Sequence, residues 1–174
     1  VEDYPQPTPA FEEVLEQLDA FVQRGEKTLT ISGGEPTLLK KRLLTLIQTA
    51  RKKGISYIEL QTNAVLIDES YAQQLQEAGL TSAFVSLLSH VPEDHDFLTG
   101  LDGSFQRCVE GIRALIAVGI ESTLNPVVTH RTQTKMEEYV HYVAENLPGV
   151  RTISLSAVQP HGRAQSHLDL MPDY

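Results

Sequence analysis

Short apolar runs alternate with helical runs along this chain, and that alternation constrains the fold more than any other feature. Over residues 9–24 the apolar residues Phe11, Val14, Leu15, Leu18, Phe21 and Val22 recur at helical spacing, and Gly25 follows. Residues 38–53 repeat the pattern with Leu43, Leu46, Ile47 and Ala50, a basic end at Arg51, Lys52 and Lys53, and Gly54 as the stop. Asp68 is placed to cap a helix over 69–78 that ends at Gly79. After a loop, Ser104 stands in the same position for a helix over 105–118, and a last helix is predicted over 135–146. Between these lie five β-like runs, at 28–32, 57–61, 82–88, 120–128 and 152–157. They are mostly apolar on both faces, which predicts parallel strands covered on both sides.

The repeat of roughly 25–38 residues is the spacing of βα units. Alternating elements of this kind give a doubly wound sheet or a (β/α) barrel, and period alone does not separate the two. In either fold ligands gather beyond the carboxyl ends of the strands. The residues at those ends are therefore the candidates for function.

The first strand ends in Ser32-Gly33-Gly34-Glu35-Pro36. Two glycines let the backbone turn sharply and approach a ligand closely, Glu35 is an acceptor for an ammonium group, and Pro36 pre-organises a helix start. The sequence fits a site for a small ligand bearing a free amine, and equally a tight βα turn. The second strand ends in Gln61-Thr62-Asn63-Ala64, polar cavity lining or a turn. Ser86 lies in the third run, either facing a ligand or serving as a small core residue. Asn125, followed by Pro126 in the fourth run, is unfavourable locally, and such rule-breaking is expected at functional sites. The fifth run leads into Gln159-Pro160-His161-Gly162-Arg163-Ala164, a turn whose free backbone groups fit the edge of a heterocycle. Polar residues stand at all five ends.

A chain of 174 residues fits one domain with a sizeable core. The formal charge of −9 argues against nucleic acid or an anionic membrane as the main partner. No apolar run approaches the roughly 20 residues of a membrane span, and a single cysteine, Cys108, fits a reducing cytoplasm rather than a disulfide framework. Cys108 sits mid-helix and reads as core. The six histidines form no ligand spacing. His95-Asp96 and His161 fall in predicted cavity-side loops, Arg163 is a potential carboxylate partner, and Lys40-Lys41-Arg42 reads as a solvated helix face.

The runs ISGGEPTL, LQTNA, FVSLLSHVPEDHDFLTG, GSFQRCVEGIRALIAVGIESTLNPVVTHRT and SLSAVQPHGRA, in that order, resemble the core of the radical S-adenosylmethionine (radical SAM) family over nearly the whole chain. The resemblance implies an α/β fold, a partial (β/α)₆ TIM-like barrel, here with about five parallel strands and alternating helices. It implies that Gly33, Gly34 and Glu35, with Pro36 behind them, hold the methionyl amine of S-adenosylmethionine. Ser86 and Asn125 would meet its ribose or carboxylate, the turn from Val158 through His161 to Gly162 would flank the adenine, and Thr62 and Asn63 would line the cavity. It implies an oxidoreductase-type enzyme that cleaves the cofactor reductively to a 5′-deoxyadenosyl radical, with an electron donor of flavodoxin or ferredoxin type. The substrate, a small molecule or a peptide, is not legible.

One departure stands out. The family binds a [4Fe–4S] cluster through a Cys-x₃-Cys-x₂-Cys loop, and cluster ligation needs several thiolates. The expectation is that residues 1–174 are a trimmed core, with the cluster loop and the first barrel strand upstream of Val1 and a C-terminal part missing, inactive as it stands. The open edge at residues 28–32 would then be prone to pairing. Two rival readings stay open: a non-catalytic SAM-binding or scaffold module, and a barrel enzyme using Glu35 as a general base.

Overall fold

The computed structural model describes residues 9–160 and 162–173, apart from the side chain of Arg163. Helix α1 (Phe11–Gln23) leads to strand β1 (Thr28–Ile31), and a 3₁₀ turn (Pro36–Leu39) runs directly into α2 (Lys40–Lys52). Strand β2 (Tyr57–Thr62), α3 (Glu69–Ala78), β3 (Ser82–Val85), α4 (Pro92–Thr99) and α5 (Ser104–Ala117) follow. Then come β4 (Glu121–Leu124), β5 (Val127–Val128), α6 (Met136–Asn146), β6 (Thr152–Ile153) and β7 (Ser156–Ala157).

The main sheet has the order β1-β2-β3-β4-β6, with every pair parallel. A doubly wound sheet reverses its strand order at a switch point; this order never reverses. With right-handed crossovers, a monotonic order puts every connecting helix on the same side of the sheet, and α2 touches α3 as α3 touches α5. The fold is a partial (β/α) barrel.

The strands are not apolar on both faces as expected. In β2, Ile58, Leu60 and Thr62 are buried while Glu59 and Gln61 are half-exposed. The register aligns Leu60 with Ala83 and Ser122, and Gln61 with Phe84 and Thr123. The buried row lies against the helices. The other row forms the concave face of an incomplete barrel, and polar side chains are stable there because it is only half-buried. Strand β1 alternates exposed and half-buried positions at the free edge of the sheet.

Three further expectations are corrected. The predicted strand over 120–128 is two pieces, because Pro126 offers no N–H and the chain breaks at Asn125-Pro126. Its neighbour over 152–157 breaks in step, and the outer pieces pair as a separate sheet, β5 with β7. Residues 92–99, taken as loop, form α4, with Pro92 in its first turn and Gly100 left-handed beyond its end. His95 and Asp96 therefore lie on a helix. Ser104 is not the cap of α5: left-handed Gly103 precedes the helix, and the cap is Asp96, which accepts from the N–H of Gly103 (2.6 Å), the hydroxyl of Ser104 (2.9 Å) and the N–H of Phe105 (2.8 Å). The Asp68 cap of α3 is present, with Tyr71 N–H donating at 2.6 Å.

Candidate functional site

Gly33 (φ +101°) and Gly34 (φ +52°) follow β1 in backbone conformations that L side chains adopt only at a cost. An added Cβ at either would meet nothing within 4 Å, so the glycines serve the turn itself and leave its surface open. The next residue, Glu35, is extended and caps the 3₁₀ turn. Its Oε1 accepts from the N–H (3.1 Å) and hydroxyl (2.6 Å) of Thr37 and from the Thr62 hydroxyl (2.7 Å), and its Oε2 accepts from the Asn63 N–H (2.8 Å). One carboxylate thus fastens the loop after β1 to the end of β2. A carboxylate offers about four lone-pair sites, and the uneven loading leaves Oε2 able to accept one more donor.

Tyr71, on α3, backs this arrangement. Its hydroxyl donates to the Thr37 carbonyl at 3.4 Å, and burial first, then the Glu35 charge, pushes its pKa up to about 12. The Lys40 ammonium lies 4.2 Å from the centre of its ring.

At the end of β2, the buried Thr62 hydroxyl also accepts the Ala64 N–H at 3.0 Å. Asn63 Oδ1 accepts the Val65 N–H at 3.0 Å in an Asx-type turn, while its Nδ2 finds no acceptor among the described residues. Ala64 is left-handed at φ +57° and fully buried. Gly111 of α5 packs on it so closely that a Cβ there would stand 2.2 Å from the Ala64 carbonyl oxygen. Sequence reading passed over Gly111; a glycine inside an otherwise apolar helical stripe was the available signal.

The hydrogen-bond ladder runs one residue past the strands. Ser86 N–H donates to the Thr62 carbonyl (3.1 Å), Asn125 N–H to that of Val85 (2.8 Å), and Ser154 N–H to that of Leu124 (2.8 Å). By strand alternation this aligns Asn63, Ser86, Asn125 and Ser154 along the carboxyl edge of the concave face, at steps of about 4.8 Å. Asn125 is 8% exposed, and its Nδ2 donates to the Ser154 carbonyl (2.5 Å) and the Ser156 hydroxyl (2.9 Å), tying together the two pieces of broken sheet. Its Oδ1 and the Ser86 hydroxyl have no partner among the described residues. Ser154 and Ser156 were not anticipated; the alternating serines of Ser154-Leu155-Ser156 were the signal. Deeper on the same face, Ser32 donates to Gln61 Oε1 at 2.7 Å.

The Val158 N–H is spent on the Val128 carbonyl at 3.0 Å and is not free for a ligand. Gly162 opens a 3₁₀ segment, Gly162–Ser166. His161 lies outside the described residues.

The remaining titratable groups near this edge are occupied by the fold. His95 is buried, its Nδ1 accepts the Leu88 N–H at 3.2 Å, and burial pushes its pKa down to about 4 against the pull of Asp96, so the ring is neutral. Asp94 is buried too; burial raises its carboxyl, and the hydrogen bonds and charges of Lys135 and Arg131 outweigh that and hold it below the usual range. Cys108 is fully buried, its thiol pushed up to about 12 by burial and then by Glu35. Among the described residues no three His, Cys, Asp or Glu side chains come together as a metal site. A [4Fe–4S] cluster, which needs several thiolates, does not fit them.

The sequence model of the Radical SAM superfamily matches residues 2–157. GTP 3′,8-cyclase of Peptoclostridium acidaminophilum is 32% identical over 158 residues, which is 89% of this chain and 48% of that protein. The AdoMet-dependent heme synthase of Oleidesulfovibrio alaskensis is 29% identical over 147 residues, 84% of this chain and 37% of its own length. This chain thus spans about half the length, or less, of the curated relatives it matches. Native anSMEcpe with bound AdoMet superposes on 92% of the chain with a TM-score of 0.74 at 23% identity, covering 45% of that protein. Streptococcus suis SuiB bound to S-adenosylmethionine superposes on 99% with a TM-score of 0.77 at 19% identity, covering 39% of it. Those two likenesses establish the shared fold, and the sequence match, which takes in the Gly33-Gly34-Glu35 turn and the strand ends through Ser156, establishes the kinship: this chain belongs to the radical SAM superfamily.

Proposed function

We propose that this chain is the S-adenosylmethionine-binding core of a radical SAM enzyme. The observation that carries the proposal is the set of polar atoms along one carboxyl edge that have no partner among the described residues, beside a turn held open by two left-handed glycines. Their chemistry fits the cofactor. Glu35 Oε2 and the turn carbonyls accept an ammonium; Asn63 Nδ2 and the Ser86 hydroxyl donate to a carboxylate or ribose oxygen, and Asn125 Oδ1 accepts from a ribose hydroxyl. The backbone from Val158 to Gly162, His161 included, is the proposed flank for the adenine. Pro36 and Thr62 act from behind, one fixing the turn and the other orienting the Glu35 carboxylate.

When bound there and given one electron by a donor outside the described residues, S-adenosylmethionine would supply reductive cleavage and hydrogen abstraction from a substrate. The chain's own part is to bind, orient and exclude side reactions. Glu35 is a positioning residue on this account. Its carboxylate is held in place by donors from Thr37, Thr62 and Asn63, and the open position on Oε2 is the one the ammonium takes.

The whole protein's partners follow from the same proposal: an electron donor of flavodoxin or ferredoxin type, and a small-molecule or peptide substrate. SuiB, one of the structural neighbours, has been seen bound to the precursor peptide SuiA. No described helix is long and apolar enough to cross a membrane, and a cytoplasmic site of action is proposed with the rest.

Calorimetric titration of the full-length protein with S-adenosylmethionine tests the proposal. Glu35→Ala is expected to weaken binding at least about tenfold, about 1.4 kcal/mol, and Asn125→Ala to weaken it as well. Thr62→Val, which loosens Glu35 without touching ligand, should give a smaller loss. Unchanged affinity in Glu35→Ala would remove that residue's role, and no binding by the unaltered protein would remove the proposal.

A further inference from the structure

Between Glu35 and Glu59 the sequence holds six cations and no acid, in a chain with 23 acidic and 14 basic residues. Three of the six, Lys40, Lys41 and Arg42, occupy the first turn of α2. Cations there oppose the helix dipole, each unfavourable by about 0.3–1 kcal/mol when exposed. A local rule is being broken, which calls for a compensating use.

The other three of the six lie at the far end of α2 or just past it, where Lys53 pairs with Asp19 at 2.5 Å and Arg51 donates to the carbonyls of Ile55 and Ser56. At the first turn no acid among the described residues pairs with Lys40, Lys41 or Arg42. The expected plain solvated face is not what stands there. Arg42 is fixed over the Phe11 ring (5.2 Å) and bonded to the Pro9 carbonyl (2.8 Å), Lys40 is fixed over Tyr71, and Lys41 is exposed. Immediately before them Leu38 and Leu39 are 68% and 44% exposed. The patch is continuous with the site, because Lys40 lies on Tyr71, Tyr71 bonds the Thr37 carbonyl, and Thr37 donates to Glu35.

We infer that this basic and aliphatic rim, Leu38 to Arg42, is the docking surface for a small acidic electron-carrier protein. The inference rests on the S-adenosylmethionine reading of the neighbouring site, whose chemistry consumes one electron per cleavage. A chain of net charge −9 repels an acidic partner over most of its surface. Approach is thereby confined to the rim that attracts it, which orients the encounter. The small area suits a transient redox contact, below about 1,200 Å².

The test measures binding of oxidised flavodoxin to the full-length protein at low and high salt, with S-adenosylmethionine affinity and thermal stability read on the same samples. The expected result is flavodoxin binding that weakens with salt. Lys41→Glu should lower it about tenfold or more, while cofactor affinity is unchanged and Tm does not fall, since an acid suits that helix position. Lys41→Gln should fall between. The inference is overturned if Lys41→Glu binds flavodoxin like the parent protein. It is equally overturned if a redox-inert acidic protein of matched charge, or an anionic lipid vesicle, binds the rim as well. Failure of the parent protein to bind S-adenosylmethionine would instead strike the underlying site reading, and is seen separately.

Discussion

The α-carbon of Gly111 faces the carbonyl oxygen of Ala64 so closely that a β-carbon on residue 111 would lie 2.2 Å from it. That contact lets α5 pack directly on the left-handed turn that ends β2 and presents Asn63. Gly111→Ala is expected to destabilise the protein by about 2–4 kcal/mol through overpacking against backbone. Ala64→Gly is expected to change stability by less than about 1 kcal/mol, because relief of an L residue at φ +57° is offset by a lost buried methyl and a freer unfolded chain. Denaturant unfolding of the two variants checks both, and a neutral Gly111→Ala would refute the close packing.

Asp96 caps a helix other than its own, accepting from Gly103, Ser104 and Phe105. The N–H of Phe105 is the largest contributor to a carboxyl held below its usual range. Asp96→Ala should lower Tm and speed amide exchange at the start of α5, with α3 left protected. Equal protection of Phe105 in both proteins would show that the cap is dispensable.

His95 gives the protein an acid-sensitive element. Its folded pKa of about 4 lies below the ordinary 6.5, so the unfolded chain binds the proton more readily. Stability is therefore full above about pH 6.5 and is lost as pH falls from there toward 4, by up to roughly 3 kcal/mol. His90, lowered mainly by burial, adds to the same slope. Urea midpoints across this range should fall with acid, and His95→Gln should flatten the curve, leaving the part that belongs to His90. An unchanged slope in that variant would assign the effect elsewhere.

Cys108 should be inert while the protein is folded. Burial and the Glu35 charge push its thiol up to about 12, and the thiolate is the reactive form. Peptide mapping after iodoacetamide treatment should show Cys108 unmodified under native conditions and alkylated in denaturant. Rapid native alkylation would mean that α5 opens far more readily than its burial implies.

The glycine stops, the Asp68 cap and the helical stripes were readable because they are local: each depends on residues within one or two turns of one another. The break at Asn125-Pro126 was half readable, since Pro126 marked it but the matching break at Ser154-Leu155 followed from its neighbour. Helix α4 was missed because eight residues with a weak apolar stripe look like loop, although Pro92 and Gly100 bracketed it. The capping of α5 was misassigned because the nearest serine was the natural candidate, whereas the stronger acceptor came from a different helix.

By itself the sequence determined the alternation of strands and helices, the left-handed turn at Gly33-Gly34, the polar character of every strand end and, through the order of its motifs, the superfamily. These are properties of short segments or of their succession. Only the tertiary structure decided that the sheet is a barrel segment, since strand order is a matter of which edges pair. It alone decided that Glu35 is shared by Thr37, Thr62 and Asn63, that Gly111 is pinned by Ala64, and that Lys40 reaches the site through Tyr71. Each of those contacts, the bond of Glu35 to Thr37 excepted, joins residues about 25 or more apart in the chain. No local periodicity encodes such a distance; it is set when packing and hydrogen bonding bring the strand ends to one edge.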